Sequence, residues 1–545
     1  MVRVVAIGLD GATWDLIKPW AEKGELPTFK RLMENGSWGH LESTIPPVTC
    51  PAWVSMLTGK NPGKLGIYYF RQPDWEQFVM KSVKINWSEY LPLWKILNSE
   101  GYYTNIINTP TVTPTPDDYK GVYVQCPIMG SNSFDEFVYP DFVRKLLKEM
   151  NYERLVPGNP HTLGWDKYLE KVYEVVQKKA ELALNLFENT RWHLFFFTIF
   201  YTDQIMHYFW HYMDKNHPKH VPSKYKDTIL EFFKFVDSII EKFLNKLDKN
   251  DILMLVSDHG HGPMYKEVNY NMYFSQLGLL NFKSNVVRKH KTREIIYKVL
   301  GKLYHTPVGI IVDRINLLSV KKAKISNEAE RLRSKFDFID WQNTVAYNPT
   351  VNAIFINVKG REKYGTVPRK DYYKIREKII KKLQELKDPE TGKPVIKKVW
   401  VKEEIYSGKY FDSMPDILIE PIGETFYINY GFDNLWKFRL FSEPTPLTYS
   451  THTRRGIFLA YGPGIKKGYK IENAKIYDIA PTILHIFGLP IPNDMDGRVL
   501  MEIFEEDSEF AKRKPKYVDP SYYEKKQEDE KLKKAIKNLK LKGKL

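Results

Sequence analysis

Cysteine is almost absent: Cys50 and Cys126 are the only two in 545 residues. That excludes a disulfide scaffold and a cysteine-rich zinc site, and it fits a reducing compartment. No run reaches the roughly eighteen apolar residues needed to cross a bilayer. The most apolar stretch, 194–200, is soon interrupted by Asp203 and His207. The opening MVRVVAIGLDG lacks the charged start, apolar stretch and cleavage site of a secretory signal, and is expected to begin directly as a strand. A soluble cytoplasmic protein is the expectation. Acidic residues are the minority, 66 against 82 Lys plus Arg, for a formal net charge of +16. Such an excess suits a polyanionic partner such as anionic lipid, nucleic acid or a phosphorylated substrate. It equally suits a Lys-rich surface of the kind common in heat-adapted proteins. No RNA- or DNA-binding motif stands out, so specific nucleic-acid binding is not expected, while peripheral contact with an anionic membrane stays open. No internal repeat is evident.

What is present suffices for folding, with 43% hydrophobic and 14% aromatic residues. Three apolar runs, 2–9, 194–201 and 252–256, each end in a polar turn carrying Asp10, Asp203 or Asp258. Continuous apolar runs suggest strands buried on both faces, and helical patterns lie between them at 169–188 and 228–247. The pattern predicts an α/β protein with a doubly wound, mostly parallel sheet flanked by helices, whose site forms at the carboxyl ends of the strands. Four segments are expected: the first part of a catalytic core, 1–281; a basic helical insertion or cap, 282–340; the rest of the core with a mixed α+β segment, 341–505; and a charged tail, 506–545. Within the third, 353–358 and 395–401 read as strands, 372–386 as an amphipathic helix, 456–460 as a buried strand and 478–487 as a helix closed by Gly488-Leu489-Pro490.

Each chemical motif has two readings. Asp258-His259, followed by Gly260-His261-Gly262, can bind a metal or form an Asx-type turn. Asp203 and His207, four apart on a helix, can share a cation or lie solvated on a surface, and His211 extends their face. Asp10 can be a ligand or the cap of a helix over 12–20. Thr49 stands in PPVTCPAWVSMLTG at a helix start, where backbone N–H groups favour anions; it can be a nucleophile or only an N-cap. His452 in THTRR, alone, reads as a surface residue. GKNPGKL is one residue short for a phosphate-binding P-loop and has Leu65 where Ser or Thr is needed. Cys50 lacks the C-x-P-x-R context of a sulfatase, with Ala52 and Val54 at the deciding positions.

In chain order, GLDGATWD, PPVTCPAWVSMLTGKNPGKLGI, YTDQIMH, VSDHGHG, STHTRRGIFLAYGPGIKKG and IYDIAPTILHIFGLPIPNDMDGRVL resemble the alkaline phosphatase superfamily. The likeness is to its type I phosphodiesterase/nucleotide pyrophosphatase branch, especially microbial phosphohydrolase/phosphomutase-like members. It spans 1–500 apart from the basic insertion.

The resemblance implies two divalent metal ions, zinc first and manganese second. Asp10, Asp258, His259 and Thr49 would hold one; Asp203, His207 and His452 the other. It implies in-line attack by Thr49 on the phosphorus of a small phosphorylated substrate, then hydrolysis of a phosphothreonine intermediate. One departure stands out. Nucleotide pyrophosphatases place an Asn shortly after the Gly-Ile of this motif, and here Gly66-Ile67 leads into Tyr68-Tyr69-Phe70. Lys60 and His261 are the substitutes the sequence offers for contacting the substrate. Phosphomonoesterase, phosphomutase and headgroup-transferase activities remain alternatives within the superfamily. A non-catalytic basic protein holding anionic lipid or RNA is the alternative outside it.

Overall fold

The computed structural model describes residues 2–113, 119–128, 137–284, 336–423, 427–428, 431–432, 439–444 and 448–526. Nine strands build the central sheet: β1 (Arg3–Leu9), β2 (Ser37–Glu42), β3 (Thr104–Ile107), β4 (Gly121–Val124), β5 (Val138–Tyr139), β6 (Leu194–Ile199), β7 (Asp251–Val256), β8 (Arg455–Tyr461) and β9 (Tyr469–Lys475). Their order is β9-β2-β8-β7-β1-β6-β3-β4-β5. β1 lies parallel to both β6 and β7, and the parallel run continues through β3 and β4. β8 is antiparallel to β2 and β7. The sheet is therefore mostly parallel, as the run pattern predicts.

Why the runs do not alternate is visible in the packing. Val5, Ile7 and Leu9 enter one core with Phe195, Phe197 and Ile199, under the helices Trp165–Asn189 and Thr228–Leu244. Val4 and Ala6 enter the other with Phe196, under the helices Thr49–Thr58 and Ile479–Ile486. Both faces of each strand are dry, so period-two alternation has no reason to exist. All ten residues of Thr49–Thr58 are buried as well, which removes its helical stripe.

A second, smaller unit follows. Strands Ala346–Thr350, Ala353–Ile356, Ile417–Pro421 and Ile396–Val401 pair antiparallel in that order, with the helix Tyr372–Gln384 against them. Tyr347, Ile354, Ile379, Leu383 and Leu418 form its own core. Most of the expected basic insertion lies outside the described residues. Its two ends meet through an antiparallel bridge between Phe282 and Ile339.

Part of the charged stretch expected from 506 packs on the core. Helix Glu509–Lys512 buries Phe510, strand Tyr517–Val518 pairs with Ile491–Pro492, and Tyr523 is fully buried. Spaced aromatic anchors hold this charged stretch onto the core as far as its described part extends, and charge density alone concealed them. Among the described residues, no helix is long and apolar enough to cross a membrane.

Candidate active site

The three acidic residues stand where strands β1, β6 and β7 end. Asp10 directly follows β1, Asp258 is two residues beyond β7, and Asp203 lies in the first turn of helix Tyr201–Met213 after β6. None of them is spent on local capping. The helix after β1 is capped by Thr13, whose hydroxyl accepts from the backbone of Asp15. Gly11 has φ +69, and a Cβ there would come within 3.1 Å of both an Asp203 carboxylate oxygen and His261 Nδ1. Glycine thus keeps the floor of the site open.

Thr49 opens its helix as the first helical residue. The cap position is Val48, without a side-chain cap bond, so the Thr49 hydroxyl is not used to close the helix end. It stands 3.2 Å from Nε2 of His259.

His452 arrives from elsewhere in the chain. The ribbon Ser450–Thr453 pairs antiparallel with Gly260–Pro263, setting His452 opposite His261. The His452 and His259 rings stack at 3.6 Å between centroids.

Two ligand sets result: Asp10, Asp258 and His259 form one, and Asp203, His207 and His452 the other, the ligand atoms of each within 4.8 Å of one another. Asp203, His259 and His261 form a third group that joins them. His259 Nε2 lies 3.7 Å from Asp10 and 3.2 Å from Asp258. His207 and His452 each present Nε2 at 3.3 Å from the same oxygen of Asp203.

The donor chemistry fits cations. His207 Nδ1 bonds the carbonyl of Ser450 at 2.7 Å, His452 Nδ1 that of Pro47 at 3.0 Å, and His259 Nδ1 that of Gly260 at 3.0 Å. A carbonyl only accepts, so each Nδ1 carries the hydrogen and each neutral ring turns an Nε2 lone pair inward. Pro47, two residues before Thr49, thereby orients His452. Two such lone pairs, on His207 and His452, face each other at 3.1 Å. One oxygen each of Asp10, Asp203 and Asp258 is buried without a hydrogen-bond partner. Lone pairs and carboxylates converging in this way are stable together only with protons or metal ions between them.

Electrostatics says the same. Burial, then the charges of Asp258 and Asp203, pushes the Asp10 carboxyl well above its usual range. Burial is also the main cause of the upward shift at Asp258. At Asp203 burial acts upward, but His207 and His452 outweigh it and hold the carboxyl well below its usual range. His207 is burdened by burial yet raised overall by Asp203.

All seven residues expected at the metals are brought together. The two substitutes for the missing Asn fare differently. Lys60 lies beyond the far end of the Thr49 helix, a helix about 15 Å long at 1.5 Å per residue, in a buried ion pair with Asp494 at 2.5 Å. The helix that starts at the site carries Lys60 away from Thr49. His261 is inside: Ser450 Oγ, already donating to Met206, accepts from Nε2 at 2.8 Å, so Nδ1 faces Asp203 at 3.4 Å. It touches the ligand set rather than an open substrate space. His211 points away and stacks on Tyr449 at 3.7 Å.

Sequence reasoning missed Trp53, whose Nε1 donates to Asp10 at 3.2 Å, and Gly11, whose N–H donates to Asp258 at 3.1 Å. Trp53 lies one helical turn after Thr49, a spacing that could have signalled it. A cavity of about 190 Å³ adjoins His207 and His452, walled by Pro46, Tyr69 and Phe70 from the core and by Val351, Asn352 and Ile419 from the smaller unit. Nothing in the local sequence announces that second wall.

A hydroxyl at a helix start, set among carboxylates and imidazoles at the carboxyl ends of a doubly wound sheet, belongs to an α/β hydrolytic enzyme. The model of the Type I phosphodiesterase / nucleotide pyrophosphatase family matches residues 4–456. The chain belongs to that family, within the alkaline phosphatase superfamily, and is a hydrolase of phosphoric ester bonds. No curated relative matches at significant similarity. Similar solved structures include murine ectonucleotide pyrophosphatase / phosphodiesterase 5 in an inactive form in complex with AMP. It is 14% identical with a TM-score of 0.48, covering 93% of this chain and 100% of that one. The human counterpart is 14% identical with a TM-score of 0.46, over 92% and 98% of the two chains.

Proposed function

We propose that the protein is a two-metal phosphodiesterase or pyrophosphatase that works through a phosphorylated Thr49. The observation that carries this reading is the Thr49 hydroxyl, unused in capping its helix and 3.2 Å from His259 of the first ligand set. Asp10, Asp258 and His259, with Thr49, would hold one divalent cation; Asp203, His207 and His452 would hold the other. Zinc suits the imidazoles and manganese the carboxylates, with zinc the first expectation. Bound there, the cations supply Lewis acidity that lowers the pKa of the Thr49 hydroxyl and offsets charge on the phosphoryl oxygens.

The chain's own part is placement. Helix Thr49–Thr58 aims Oγ1 from a rigid, fully buried support, and its amino-terminal N–H groups favour the phosphate anion. The Thr49 oxygen bonds to phosphorus as the bond to the leaving group breaks, and the departing alcohol takes up the proton. Water then attacks the phosphothreonine. Its hydroxyl stays on phosphorus, and its other proton returns to Thr49. The net change is one diester plus water to one monoester plus alcohol. A cytoplasmic location is proposed with this activity, resting on two cysteines that are buried and unpaired.

Turnover of bis-p-nitrophenyl phosphate by the metal-loaded protein should exceed that of p-nitrophenyl phosphate. The reverse preference would make the enzyme a monoesterase. Transfer of the phosphoryl group to an added alcohol or sugar in preference to water would make it a mutase or transferase.

A further inference from the structure

Strands β1 and β6 pair in parallel as far as Leu9 and Ile199. One further bond follows, from the Asp10 N–H to the Ile199 carbonyl at 3.2 Å. A parallel ladder would next bring the N–H of residue 201 to the Asp10 carbonyl. Here the chain has already turned into helix Tyr201–Met213. Thr202 supplies the donor instead, its hydroxyl 2.6 Å from the Asp10 carbonyl oxygen. The same hydroxyl lies 3.0 Å from the Ile199 carbonyl, which already receives the Asp10 N–H. A hydroxyl carries one hydrogen, and the shorter contact takes it. Thr202 and Asp10 are both fully buried, so water does not compete for the bond.

This bond runs between the two ligand sets. Asp10 belongs to one, and Asp203, the residue after Thr202, belongs to the other. Their carboxylates repel: the charge of Asp203 is among the causes that push the Asp10 carboxyl up. Trp53 and the Gly11 N–H hold carboxylates of the first set, and the Ser450 carbonyl holds His207 of the second. Those contacts fix each set internally. Thr202 reaches from one set to the other.

We infer that Thr202 is a positioning residue that sets the separation of the two ligand sets, on the two-metal reading of what those sets hold. It touches neither ion nor substrate and acts through the Asp10 carbonyl. Two-metal sites keep their cations about 3.5–4 Å apart, matched to the oxygens of one phosphoryl group. A misplacement of about 1 Å can cost on the order of a hundredfold in rate. A buried hydroxyl that spans the two strand ends therefore bears on the reaction itself.

Thr202→Val keeps the shape of the side chain and deletes the hydroxyl, whereas Thr202→Ser keeps the hydroxyl. Each full-length protein is loaded with manganese and studied well below its Tm. Elemental analysis gives the ion content, chelator competition the affinities, and the manganese–manganese interaction in EPR spectra the separation. The Val protein should still hold two ions per chain, both bound about tenfold more weakly, with an altered manganese–manganese interaction. Its kcat on bis-p-nitrophenyl phosphate should fall by about ten- to a hundredfold, with KM changed less than about threefold. Thr202→Ser should restore the spectrum and most of the rate.

A merely structural hydroxyl would lower Tm and leave the spectrum and both affinities as they are, and that result overturns the inference. Weakening of one ion alone also overturns it, because Thr202 would then serve a single set. So does a Ser protein that behaves like the Val protein. An unsubstituted protein that takes up fewer than two ions sinks the two-metal reading first, and the role of Thr202 with it.

Discussion

Thr49 Oγ1 lies 3.2 Å from His259 Nε2, and neither group serves the local structure that surrounds it. The helix is capped at Val48 without help from the hydroxyl, and the imidazole is oriented through its other nitrogen by the Gly260 carbonyl. Each has its reactive atom left over. Thr49→Ala should therefore reduce kcat on bis-p-nitrophenyl phosphate by roughly a thousandfold or more while Tm holds, since the proposed nucleophile goes and no cap is lost. Thr49→Ser should keep part of the activity. Full activity in the Ala variant would remove Thr49 from the reaction.

Because His452 reaches Asp203 only through its ribbon, it can be removed without disturbing a sheet core. His452→Ala should drop metal content, read by elemental analysis, from two ions per chain to one. Two retained ions would show that this ligand set is misassigned.

Trp53 holds Asp10 by an indole N–H rather than touching the ligand space itself. Trp53→Phe keeps the ring and deletes that donor. Metal affinity in a chelator competition should weaken by about 10- to 100-fold, the usual cost of losing such support. Affinity unchanged within error would mean that packing alone fixes Asp10.

Protons and metal ions should compete for the site. Asp10 and Asp258 are raised by burial and neighbouring carboxylates, and His207 is raised by Asp203 against the opposing effect of burial. A raised folded pKa contributes stability that is complete below the unfolded value and lost as pH climbs through the folded one. The metal-free protein should thus lose Tm as pH rises through the raised values of these groups, more steeply than the loaded protein. Asp203 is shifted the other way, so its contribution is lost only in acid. Calorimetry in buffers of different ionisation enthalpy should show protons released on metal uptake. Parallel Tm profiles with no proton release would contradict this electrostatic account.

In the smaller unit, Asp416 is fully buried and takes Arg361 through two bonds of 2.6 Å, with the Ile356 N–H at 2.7 Å. Asp416→Ala removes one of the two carboxylates on a largely buried guanidinium, leaving Glu362 at 2.7 Å, and should cost about 3 kcal/mol in denaturant unfolding. A loss below about 1 kcal/mol would place the pair among exposed ones.

The sequence by itself determined the local chemistry. Apolar runs ending in Asp10, Asp203 and Asp258 specify strands buried on both faces, because a residue with no solvent-facing side needs no polar alternation. The four-residue step from Asp203 to His207 survives as written, since a helix places those positions on one face. Membership of the motifs in one ordered set was legible too. Tertiary structure decided whatever depends on distance through space. Lys60 stands eleven residues after Thr49, beyond the end of the buried helix Thr49–Thr58, and the helix separates what sequence proximity had joined. His452 and His261 are far apart in the chain, and a two-stranded ribbon sets them opposite each other. Asn352 reads locally as a turn residue and nothing more. Only the packing of the smaller unit against the core, through contacts no short motif can encode, sets it with Val351 and Ile419 in the wall of the cavity beside His207 and His452.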